Sequence, residues 1–423
     1  MIKTLIFAAL YIGAVHYGYV SYINPTFEYA AYYYLPFTTA ALWSSFFLAW
    51  LPVLAYRPCV APTQAFAALI YIASYIPIQL SLLYSVDRDY DELIWIQIML
   101  AVSMICIFIF SQVTRRPVLV APDFKKMDFV IGVLTALSLA LVVIDNIGHM
   151  RFVSFQDVYD VRRDAANVSQ SAISAYLISW LSYCFISYWY ARGLIYKKWS
   201  FVLIGFAASI ALYMATGSKA AILLLPITIG LNWVWGRGKN FLFSMLMLLT
   251  IGIFGILLFL PDEGVSMWIK SIALVRILGT AGWTASKYFE YFDTYGHTFY
   301  SHIGPINWIT GMYPYGELGL GQVVGLEYVG SSEANFNAGF WASDGFAALG
   351  PIGILVVTPF IIGVMWMINK ATIHLDPRFA ILWMGGFFIA MLNVPLTTAL
   401  LSGGGLVMII LAKSFTRNPA RKL

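Results

Sequence analysis

The chain is a succession of continuously apolar runs, most about 17–25 residues long, separated by short polar breaks. Such runs determine the solvent before anything else is known. In hydrocarbon no water satisfies backbone N–H and C=O groups, so only helices and closed barrels can cross. Barrel strands would alternate apolar and polar residues, and these runs do not. The fold class expected is therefore an all-α polytopic membrane protein. Composition excludes a large soluble companion: 61% of the 423 residues are hydrophobic and 11% charged, against roughly 25% charged in soluble domains.

About twelve transmembrane helices are expected, near residues 2–21, 36–56, 63–84, 93–113, 129–147, 172–191, 201–215, 220–235, 241–260, 351–369, 379–392 and 396–412. They form one integral membrane domain, 1–423. The first run lacks a small-x-small cleavage site and reads as an uncleaved helix. Lys and Arg test the count. Arg57, the 115–126 group, the 192–198 group, Arg237 with Lys239, Lys370 with Arg378, and the tail fall on alternate loops. The positive-inside rule places those loops, and both termini, in the cytoplasm. The acidic 86–92 connection then faces outward. So do an outer loop at 148–171 and a large outer loop at 261–350.

Several outward cations break that rule: Arg151, Arg162, Arg163, Lys219, Lys270, Arg276 and Lys287. Cations where orientation disfavours them suit an anionic ligand. In the 157–165 stretch DVYDVRRDA, one of Arg162 and Arg163 is expected to face a site, with Tyr159 about a helical turn away. Salt bridging to Asp157, Asp160 and Asp164 is the structural alternative. Lys219 closes the turn TGSK ahead of a helix N-terminus, where amides attract anions. It equally suits a lipid-headgroup contact, and it lacks Walker spacing. Arg276 lies inside an apolar helical segment, 264–279, facing either a cavity or lipid phosphate.

The 261–350 loop is rich in Gly and aromatics and carries His297 and His302, either of which suits a general base or a plain surface hydrogen bond. His374 is expected to be solvated. Glu333, Asn335, Asn337 and Asp344 flank Phe336, Phe340 and Trp341. Aromatic faces beside amides and carboxylates match a sugar: C–H groups stack on rings and hydroxyls pair with polar groups. Glu333 and Asp344 are also candidate catalytic carboxylates, and an interfacial capping segment is the alternative. No metal is expected, because no histidine has partners at ligand spacing. The three cysteines imply no disulfide framework, and nothing suggests a nucleic-acid groove.

This layout resembles the Wzy-type O-antigen polymerases. The residues carrying the resemblance are DVYDVRRDA, TGSKAAILL, the Arg276 segment, and the large outer loop ending SSEANFNAGFWASDGFAALGPIG. The resemblance implies the fold of the integral-membrane glycosyltransferases that use lipid-linked donors, in the bacterial inner membrane. It implies transfer of a growing glycan from undecaprenyl diphosphate to a sugar hydroxyl of another lipid-linked repeat unit. No cofactor is implied; the partners are the undecaprenyl-diphosphate-linked oligosaccharide, membrane lipid and a chain-length regulator. The cations would fall on Arg162 or Arg163, Lys219 (where relatives often have arginine) and Arg276, and a base on His297 or His302. A lipid-linked oligosaccharide flippase and an O-antigen ligase are the rival expectations.

Overall fold

The computed structural model describes residues 1–58, 61–112, 122–152, 172–236, 240–332, 334, 336–337 and 340–415. Tyr159, Arg162, Arg163, Glu333 and Asn335 lie outside them. Every regular element among the described residues is helical. In chain order these are α1 Ile2–Ala30, α2 Thr39–Ala55, α3 Pro62–Ser85, α4 Tyr90–Ser111 and α5 Phe124–Asn146. Next, α6 joins Ala172–Trp180 to Ile186–Ile195 through a π turn, and α7 Trp199–Thr216, α8 Lys219–Gly236, α9 Phe241–Phe259 and α10 Gly264–Tyr295 follow. The chain ends with α11 Gly304–Thr310, α12 Leu320–Val329, α13 Phe340–Ala371, α14 Pro377–Met391 and α15 Leu396–Ser414. Ten helices among the described residues are long and apolar enough to cross a membrane.

Those ten are not the twelve expected runs with two missing. Nine coincide with expected spans, α2 and α14 are shorter apolar helices, and α6 is interrupted; the tenth is α10. Residues 264–295, read as an interfacial helix followed by alternating aromatic and polar chain, form one helix. It continues past Gly279 through a π turn, Val275–Gly279. Tyr288, Phe289, Tyr291 and Phe292 form its buried face, and Asp293, Thr294 and Tyr295 are exposed.

Local chemistry sets the helix ends. Thr38 and Asn240 accept from the backbone N–H of Ala41 (3.2 Å) and Phe243 (3.1 Å), and Asp376 caps α14 through the amides of Arg378 and Phe379. Gly217, at φ +64°, takes the left-handed position that stops α7 two residues before α8 begins.

Packing orders the helices end to end. Along α1, Thr4 meets Asn240 at the start of α9 (2.8 Å), and Tyr17 lies against Phe254. Tyr11 donates to Ile72 O, and Tyr19 meets Ser85 (3.1 Å). The C-terminal ends of α1, α3 and α9 therefore lie together. From that end α10 dips into the bundle and comes back. Ser271 meets Tyr22 (2.8 Å), Gly282 packs on Ser81 and Pro77, and Asp293 pairs with Arg88 beyond the end of α3. Both ends of α10 are at one end of the bundle, although its length would allow it to cross.

α13 folds back in the same region. Leu349 and Gly350 leave helical geometry, with Gly350 at φ +64°, ψ −149°. Gly345 and Gly353 then face each other so closely that a Cβ on Gly353 would sit 1.8 Å from Gly345 O. Trp341 Nε1 donates to Ser103 Oγ (2.9 Å), which also meets Thr358 (2.6 Å). Residues 340–348 thus rise from mid-bundle to the Gly350 tip, and 351–371 descend beside them.

Candidate functional site

α10 and the α13 hairpin pack against each other at one end of the bundle. A ring stack lies beside their contact. Trp283 of α10 lies between Tyr32 (5.3 Å, 11° between planes) and Phe336 (4.5 Å, 27°). Phe336 is held at both backbone atoms: its N–H donates to Gly321 O (3.0 Å), and Tyr288 donates to its carbonyl (2.9 Å). Asn337 follows it, half-buried.

The histidine loop, 297–302, closes over the hairpin tip. The backbone N–H groups of Thr298 and Phe299 donate to Ala347 O (2.8 Å) and Ala348 O (2.9 Å), satisfying the last carbonyls of the short helix. Tyr300 donates to Gly353 O (3.1 Å) on the descending arm. These bonds hold Phe299 and Tyr300 at φ +50° and +62°, a left-handed conformation that costs a side-chain-bearing residue roughly 1–2 kcal/mol.

The two histidines differ in what fixes them. His302 Nδ1 is 2.8 Å from Thr298 Oγ1. The Thr298 hydroxyl also donates to Ala347 O (3.2 Å). Since it has one proton, that arrangement puts the imidazole proton on Nδ1 and leaves Nε2 as the acceptor. Burial holds the His302 pKa down to about 4, so the ring is neutral. His297 instead packs edge-on to Phe346 and against Gly350, and its buried Nδ1 has no hydrogen-bond partner. Tyr300 lies 6.0 Å from the His302 ring; burial, then the Asp344 carboxylate, push its pKa up to about 12.

The other expected residues take varied positions. Asp344, 8% exposed, accepts the backbone N–H of Leu396 at the start of α15. It therefore joins the hairpin to the last helix. Trp341 is fully buried with its N–H on Ser103. It acts as a wedge between the hairpin and α4. Arg276 projects from the π turn of α10, exposed, with its charge acting on Tyr32. Lys219 opens α8, which packs on α6, α7, α9 and α14. Contacts from Asp344 to Leu396, Leu401 to Trp180, Ser174 to Asp145, and Arg151 to Met214 place it at the same end of the bundle, on another wall.

Two of the unexpected outward cations have local partners. Lys270 pairs with Asp262 (2.7 Å) over the Tyr22 ring, and Lys287 with Glu290 (2.7 Å) between Tyr33 and Tyr328. His374, expected in solvent, is buried at 8% exposure. Thr298 and Tyr300 escaped the sequence reading. Thr298 stands four residues before His302, a helical spacing, yet a left-handed loop brings them together. Among the described residues no group of His, Cys, Asp and Glu could hold a metal ion. Comparison with family models, with curated proteins and with solved structures finds no match to this chain.

Proposed function

We propose that this protein polymerises undecaprenyl-diphosphate-linked oligosaccharide repeat units at the outer face of a bacterial inner membrane. The observation that carries this reading is the neutral His302, oriented by Thr298, in a loop that closes over the α13 hairpin tip of a helical membrane bundle. In the proposed reaction the acceptor hydroxyl gives its proton to His302 Nε2 as its oxygen attacks the anomeric carbon of the donor glycan. The bond from that carbon to the diphosphate oxygen breaks, and its electron pair stays on the diphosphate. Lys219, Arg276 and one of Arg162 and Arg163 offset the charge developing there. The apolar flank of the bundle suits the polyprenyl tail.

The decisive experiment is reconstitution of the purified chain in liposomes with undecaprenyl-diphosphate-linked repeat units. A ladder of products is expected. Bond formation only to a lipid A core acceptor would assign a ligase. A second reading, transport of the same lipid-linked oligosaccharide, draws on the dipping α10 and the broken α13, because discontinuous helices frequently build substrate sites in transporters. Headgroup movement between leaflets without a new glycosidic bond would establish it and end the polymerase assignment.

A further inference from the structure

A cavity opens at the same end of the bundle, where the last turn of α10, the 86–89 connection and α12 meet. Its volume is about 320 Å³, and Asp87, Arg88, Glu290, Tyr295, Glu327 and Tyr328 contribute to its lining. The walls are already organised. Tyr295 donates to Glu327 Oε1 (3.0 Å), Arg88 pairs with Asp293, and Lys287 holds Glu290 at 2.7 Å. Tyr291 packs behind Tyr295, with ring centres 4.6 Å apart and planes tilted by 36°.

We infer that this cavity is the acceptor-sugar subsite, taking one neutral pyranose ring of the incoming repeat unit. Four observations favour that ligand class. The lining carries three carboxylates and one arginine, so it repels a diphosphate and presents acceptors to hydroxyl donors. It is not a metal site by ligand geometry. Its volume is near the lower end of ligand pockets, roughly 300–1,000 Å³, a size for a single ring. Tyr295 and Tyr328 provide aromatic surface beside the carboxylates, the combination a sugar needs. Its position also fits. Tyr295 is followed directly by Gly296, at φ +92°, and then by His297–His302, so the acceptor would be seated at the root of the loop that carries the base.

The choice of a sugar rests on the glycan-transfer reading above, and the test separates the two. The full chain in lipid nanodiscs is examined by saturation-transfer NMR with a panel of neutral methyl pyranosides, and inorganic pyrophosphate serves as competitor. At least one pyranoside is expected to receive saturation, and pyrophosphate is expected not to compete. In Glu327→Gln, affinity should fall about tenfold, the loss of one charge-assisted hydrogen bond. In Thr294→Trp, at another lining residue, the new ring fills the cavity and the signal should vanish. If that variant does not fold, Glu327→Gln decides alone. No signal from any pyranoside, an unchanged affinity in Glu327→Gln, or competition by pyrophosphate overturns the subsite. Polymer formation retained while binding is lost overturns the subsite alone. Binding retained without polymer formation overturns the polymerase reading alone.

Discussion

At the scale of single residues, His302 and Gly350 define the histidine loop and the hairpin tip beneath it. His302→Ala is expected to lower polymer formation by about 10²–10⁴, the usual loss for a general base, measured as rate in proteoliposomes. Burial sets the pH behaviour. The ring titrates at an ordinary 6.5 when unfolded and near 4 when folded, so the folded state binds fewer protons between those values. Its contribution to stability is therefore complete above pH 6.5 and is lost as pH falls toward 4. Melting curves in detergent should show a lower Tm at pH 4.5 than at pH 7, with the difference reduced in His302→Phe. Gly350 occupies a backbone region open essentially to glycine alone, and a Cβ there would stand 3.0 Å from His297 Nε2. Gly350→Ala should destabilise by about 1–3 kcal/mol and reduce activity further by displacing the histidine loop; a native melting temperature would refute this. The candidate base was legible in the sequence only as one of two histidines. What separates them is a hydrogen bond to Thr298 and an edge contact to Phe346, and neither has a sequence signature.

At the scale of elements, the site depends on α10, whose two ends lie at one end of the bundle, and on the broken α13. The α13 hairpin is legible in part: Gly345, Gly350, Pro351 and Gly353 announce a break in an apolar run. That the two arms pack against each other follows only from the clearance at Gly345 and Gly353. Gly353→Ala places a methyl group on a backbone oxygen and should open the hairpin; protease sensitivity near residue 350 is expected to rise, while Gly363→Ala, which meets nothing within 4 Å, should leave it unchanged. The course of α10 was less legible. Its first turns read as an interfacial helix, and its later aromatics hid the continuing period. Burial of those rings against α3 and α13, with Lys287 and Lys270 neutralised locally, permits one helix to enter and leave at the same end.

At the scale of the whole molecule, polar contacts inside the bundle fix which helices meet. Gln79 and Gln97 donate to each other's carbonyls (2.8 Å each), and Gln97 also reaches Ser45 (2.8 Å), tying α2, α3 and α4. Elsewhere Arg192 makes two hydrogen bonds to Asp128 (3.0 and 3.2 Å) and lies over the Phe124 and Tyr196 rings. Removing one member of a buried pair costs about 3–5 kcal/mol, and the partial exposure of Asp128 reduces this to roughly 2–3 kcal/mol. Arg192→Ala should therefore lower the Tm while the reaction rate per folded molecule stays native. The solvent, the helical class and the approximate spans are legible in the apolar runs, because each follows from the composition and length of a local run. The sequence also singled out the cations and histidines, because charge is costly in such a chain wherever it occurs. It took the packed fold to show that both ends of α10 lie at one end of the bundle, that Trp341 and Asp344 tie the hairpin to α4 and α15, and that His302 rather than His297 meets Thr298. Those outcomes depend on contacts between residues distant in the chain, for which an apolar run of uniform composition carries no local signal.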